Sequence, residues 1–75
     1  MDKKEFKNLL AKAENGDAKA MYLVGLEYEA GEVVTADGDK ALEWMNKAAD
    51  LGDAEAIAWL KQYYFDDDAG VQAYS

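Results

Sequence analysis

The 75-residue chain contains no cysteine, no histidine, no proline and no arginine. Each absence removes a class of chemistry. Without cysteine there is no disulfide to staple a small fold, although domains of this size often depend on one. Without cysteine and histidine, zinc, haem and iron–sulfur centres lose their usual ligands. Serine triads, cysteine nucleophiles and histidine acid–base catalysis each lack an essential group. Without arginine there is no bidentate phosphate fork, and with 16 acidic residues against 8 lysines the net charge is −8. Such a surface repels nucleic-acid backbones, so no direct nucleic-acid contact is expected. No apolar run reaches the length of a membrane span, and the charged start Met1-Asp2-Lys3-Lys4-Glu5 lacks the apolar core of a signal peptide. The expected setting is therefore cytoplasmic.

What is present argues for a folded chain. Half of the residues are hydrophobic (51%), far from a disordered composition. Their spacing is helical almost throughout. Phe6, Leu9, Leu10 and Ala13 share one face of a first helix, opened by Asp2 with Glu5 three residues on and stopped by Asn15-Gly16. Asp17 caps a second helix carrying Ala20, Val24 and Tyr28 and ending at Gly31. After a loop over 31–38, a third helix carries Ala41, Trp44, Met45, Ala48 and Ala49 to the stop at Leu51-Gly52. Asp53 caps a fourth with Ala56, Leu60 and Tyr64 inward. The expected class is all-α: four short helices joined by tight turns.

A shift of 36 positions lays the chain on itself. Lys4, Ala13, Gly16, Asp17, Ala18, Ala20 and Tyr28 fall on Lys40, Ala49, Gly52, Asp53, Ala54, Ala56 and Tyr64. A fixed period in the thirties with small residues at repeated turns is the signature of a helical solenoid.

On these residues the run from Ala20 to Gly52 resembles a Sel1-like repeat, a relative of the tetratricopeptide repeat. The resemblance rests on Ala20, Tyr22, Val24, Gly25 and Tyr28, on the loop Gly31, Val34 and Asp37, and on Lys40-Ala41, Trp44-Met45 and Lys47 to Gly52. Val33 stands in place of a second loop glycine and Met45 in place of the usual tyrosine. In the flanking partial repeats, Lys61 and Asp67 occupy positions where the family carries glycine. The resulting division is one domain over 1–67: a closing helix over 1–16, a complete repeat over 17–52 and an opening helix over 53–67. An acidic and polar tail follows over 68–75. The resemblance implies a non-enzymatic scaffold, without cofactor, that binds other proteins through a concave face lined by the opening helices.

The candidate contact residues are therefore apolar ones off the inward stripes. Trp59 and Tyr63 lie one helical turn apart, and Leu23 and Leu26 extend the apolar surface on the neighbouring opening helix. Aromatic pairs of this kind anchor interfaces, although an incomplete end would also use Trp59 as a lid. Glu27, Glu55 and the run Asp66, Asp67 and Asp68 would steer a partner with a basic surface. That run lacks the ligand spacing of a calcium loop, and no metal site is expected. Charge is also uneven along the chain. Residues 1–19 carry five lysines and four acids, whereas residues 20–75 carry three lysines and twelve acids. Size and charge suit a small acidic inhibitor or immunity-type protein. The competing reading is a self-associating or designed repeat whose open ends, without an evident polar cap, stack into a homo-oligomer.

Overall fold

The computed structural model describes residues 1–65 and is all-α. Helix α1 spans Lys3–Glu14, α2 Ala18–Ala30, α3 Gly38–Asp50 and α4 Ala54–Leu60, the last continuing as a π-helical turn over Lys61–Phe65. Among the described residues there is no strand. The acidic run Asp66–Asp68 and the tail over 68–75 lie outside the described residues, as does the side chain of Tyr64.

Every helix starts on an aspartate. Asp2, Asp17, Asp37 and Asp53 each accept a hydrogen bond from the backbone N–H three residues on, at 2.8–3.1 Å. This satisfies an amide that the helix leaves without a partner and places negative charge at the positive end of the dipole. At α1 the arrangement is reciprocal, because the Asp2 N–H donates to the Glu5 carboxylate at 3.1 Å.

The 36-residue period is physical. The turns α1–α2 and α3–α4 use the same backbone bonds one period apart. Gly16 N–H donates to the Ala13 carbonyl and Gly52 N–H to that of Ala49; Asp17 N–H donates to the Lys12 carbonyl and Asp53 N–H to that of Ala48. Gly16 and Gly52 hold φ of 100° and 92°, where a side chain is strained, and thereby free the next residue to act as a cap. The turns leave no slack, so consecutive helices run back along each other.

The loop between α2 and α3 turns at Gly31, and Asp37 N–H returns to the Tyr28 carbonyl at 3.0 Å. Val33 and Val34 pack from this loop against the core.

The core is a stack of small and medium side chains: Phe6 and Ala13 from α1, Ala20, Met21 and Val24 from α2, Ala41, Met45 and Ala48 from α3, and Ala56 from α4. Among the described residues, none of the buried ones is charged. Alanines at these positions let helices approach closely, and one glycine takes this furthest. A methyl group on Gly25 would stand 3.0 Å from Met45 Cε, 3.2 Å from Met45 Cγ and 3.3 Å from the Ala41 carbonyl oxygen. The α2–α3 pair is thus seated on Gly25. One period later the residue is Lys61, and it is exposed. The chain is a short α/α solenoid: one complete helix pair flanked by a closing helix and an opening helix.

Tyr28 links three helices. Its ring meets Phe6 of α1 edge-on at 5.8 Å and lies under the Lys40 ammonium of α3 at 5.5 Å.

Candidate interaction face

The opening helices α2 and α4 occupy equivalent places in successive repeats, and one contact ties them in register. Lys19 Nζ and Glu55 Oε1 are 2.6 Å apart, 36 residues removed from each other. These are the same repeat position carrying opposite charges. Glu55 holds the Lys19 ammonium above its ordinary value of 10.5, through the hydrogen bond first and the charge second. Both side chains are more than half exposed, so water screens the pair. Lys19 also lies 5.8 Å from the Tyr22 ring. Glu55 is thus engaged within the chain.

Further along the same face, Glu29 gathers the aromatic pair. Trp59 Nε1 donates to Glu29 Oε1 at 3.1 Å, and the Trp59 and Tyr63 rings stand 4.6 Å apart, tilted by 47°. Glu29 raises the Tyr63 phenol above its ordinary 10.0, through a hydrogen bond first, then through its charge and some burial. The carboxylate lies in the last turn of α2, where the helix dipole is unfavourable to it, and the Trp59 N–H offsets part of that cost. Trp59 is half-buried and packs against the core, whereas Tyr63 is 51% exposed. One side of the pair therefore closes the end of the core while the other faces water.

Of the remaining candidates, Leu23 and Leu26 are half-buried, and Leu26 packs against the core. Glu27 is half-buried, and its Oε1 is shielded from water with no hydrogen-bond partner. An acceptor in that state gains from any donor brought to it. Asp66, Asp67 and Asp68 lie outside the described residues.

The sequence reading missed Lys19 and Glu29. Lys19 was legible, since the 36-residue register sets it opposite Glu55. Glu29 was not, because its reach to Trp59 depends on how α2 and α4 lie against each other.

Among the described residues, no three acidic side chains converge as a metal site would require, and no helix is long and apolar enough to cross a membrane.

Residues 18–53, which contain α2, the loop and α3, match the profile of the Sel1 repeat. Residues 18–53 form a Sel1-like repeat. A relative is the ERAD-associated E3 ubiquitin-protein ligase component HRD3A of Arabidopsis thaliana, 38% identical over 61 residues. That alignment covers 80% of this chain and 9% of the relative, so the chain spans a small part of that protein's length. No solved structure matches. The Sel1 repeat is a protein-interaction module and not a catalytic one. Its matched segment ends at Asp53, the cap of α4, so the aromatic pair lies in the partial repeat beyond it.

Proposed function

We propose that this Sel1-like chain binds a protein with a basic surface through the face formed by α2 and α4. Leu23, Leu26, Trp59 and Tyr63 supply the apolar contact, and Glu27 and Asp66–Asp68 steer the partner, while Glu55 is held by Lys19. The observation that carries this reading is the Trp59–Tyr63 pair, held by Glu29 with Tyr63 exposed beside it. A ring already fixed by a hydrogen bond and a neighbour loses little conformational freedom on binding, which is what makes an aromatic anchor effective. The relative named above is a component of a ligase, a part acting within an assembly, and a non-catalytic binding role is in keeping with that.

Twelve acids against three lysines after residue 19 favour a basic partner, chiefly through the rate of encounter. On this reading the chain acts stoichiometrically, as a small acidic inhibitor or immunity-type protein covering the basic surface of an enzyme. The setting we infer for it is the cytoplasm.

Affinity capture with the wild-type chain as bait, and Trp59→Ala as the paired control, tests the reading. The expected result is a basic protein retained by the wild type and lost from the control. Its association should slow with added salt while its dissociation changes little. Equal retention by both baits, or an association rate indifferent to salt, would overturn the proposal.

A further inference from the structure

Charge and aromatic rings are paired in a regular way along this chain. Lys19 stands 5.8 Å from the centre of the Tyr22 ring, Lys40 5.5 Å from that of Tyr28, and Lys47 4.7 Å from that of Trp44. In each case an ammonium lies over the electron-rich face of a ring, which attracts it. At Trp59 and Tyr63 the sign is reversed. The charge beside these rings is a carboxylate, Glu29, which accepts the Trp59 N–H at 3.1 Å.

A carboxylate next to an aromatic face attracts a cation twice over, through its own charge and through the ring quadrupole. Both attractions remain open to a visitor. The Trp59 and Tyr63 centres are 4.6 Å apart, so one side of the Tyr63 ring lies against the indole. With Tyr63 51% exposed, its other side opens to water. Glu29 is exposed as well, and the Trp59 N–H occupies one of the several lone pairs on its two oxygens. Its charge also reaches Tyr63, whose phenol it raises above the ordinary 10.0.

Shape selects among cations here. A guanidinium is flat: it can stack on the open side of Tyr63 and still point N–H groups sideways at Glu29. An ammonium has no flat face, holds its water more tightly and acts as a point of charge. The chain has no arginine, so no guanidinium of its own fills the place. Twelve acids against three lysines after residue 19 favour a cation arriving from outside.

We infer that Glu29 and Tyr63 form an arginine seat: a guanidinium of the bound protein stacks on the open face of Tyr63 and donates to Glu29, while Trp59 holds the two in place. The inference rests on the α2–α4 face being the binding face, and it names the side chain that this face selects.

Blocked tripeptides test the seat on the full chain. Acetyl-Gly-Arg-Gly-amide is compared with its citrulline and lysine counterparts at constant ionic strength. Citrulline keeps the flat shape without the charge; lysine keeps the charge without the shape. The readout is the Trp59 indole N–H in a heteronuclear NMR titration, identified by its loss in Trp59→Phe. The arginine peptide should shift it with a dissociation constant on the order of tens of millimolar, as expected of two exposed contacts. Lysine should give a smaller slope of shift against concentration, and citrulline almost none. Glu29→Gln keeps an acceptor for Trp59 but removes the charge, and should cut the arginine slope roughly fivefold. Tyr63→Leu should cut it by roughly two- to fivefold. Glu14→Gln, the same change at the other end of the α1–α2 pair, should leave it nearly unaltered. Circular dichroism verifies that each variant is folded, and the peptide comparison on the wild type needs no variant. A citrulline or lysine slope equal to that of arginine, no shift with arginine, or equal losses in Glu14→Gln and Glu29→Gln would overturn the inference. Capture of a basic protein that Trp59→Ala loses is compatible with each of those results, so failure of the seat is distinguishable from failure of the binding face.

Discussion

Gly25→Ala places one methyl group into the closest approach between α2 and α3. Two effects of opposite sign compete. Alanine is the better helix former, which by itself stabilises a helix interior by about 1 kcal/mol. Against this, the new Cβ would lie 3.0 Å from Met45 Cε, 3.2 Å from Met45 Cγ and 3.3 Å from the Ala41 carbonyl oxygen. The methionine tip can swing aside. Its Cγ and the backbone oxygen cannot retreat unless α3 moves, and Met45 is fully buried with packed neighbours. Overpacking of this kind costs roughly 1–3 kcal/mol. The net expectation is a loss of about 1 kcal/mol, or about 4–8 °C in Tm for a domain of this size. Urea unfolding followed by helical circular dichroism measures it, with an unchanged slope showing that only stability has moved. The same substitution made in a Met45→Ala background removes two of the three close contacts and should cost less. A Gly25→Ala protein more stable than the wild type, or one equally damaged in both backgrounds, refutes the close-approach argument.

The cap aspartates should act alike because they occupy the same repeat position: Asp17→Ala and Asp53→Ala are each expected to cost about 1 kcal/mol in urea unfolding. Glu29→Gln removes the charge that raises the Tyr63 phenol. The raised phenol contributes stability in full below its ordinary 10.0, and that contribution fades as pH climbs through the higher folded value. In the variant, tyrosinate absorbance should therefore appear at lower pH, with Trp59 fluorescence changing alongside. The Lys19–Glu55 pair is exposed, so a double-mutant cycle should give a coupling smaller than either cap effect and abolished by added salt. The pair's contribution is present below 10.5, the ordinary lysine value, and lost as pH rises through the raised one.

Much of the architecture was legible because it rests on local rules. Each Gly-Asp junction reads as a stop followed by a cap, and both pairs of junction residues do the same backbone work. The inward positions Ala20, Val24, Ala41, Met45, Ala48 and Ala56 followed from helical spacing and are buried. The fourth helix departs from the reading after Leu60, where the winding widens to a π turn. At the matching point of α2 the helix is braced by α3 against Gly25; beyond α4 no described helix supplies that brace. The interaction face was only half legible. Leu23, Leu26 and Trp59 stand out by type, yet their half-buried state depends on how the opening helices meet.

The spacing of these contacts also shapes how the chain gains and loses structure. Each helix touches chiefly its neighbours along the chain, and the bridge between Lys19 and Glu55 spans just one period. No distant strand must be found before structure becomes favourable, so the cost of closing loops is small and folding is fast for the stability attained. The central hairpin of α2 and α3 is supported from both sides, whereas α1 and α4 each lean on it from one. Among the described helices, α1 and α4 are therefore expected to open before this hairpin. The aromatic pair sits at one of these flanks, and the bond from Trp59 to Glu29 of the central hairpin is what holds it in place there.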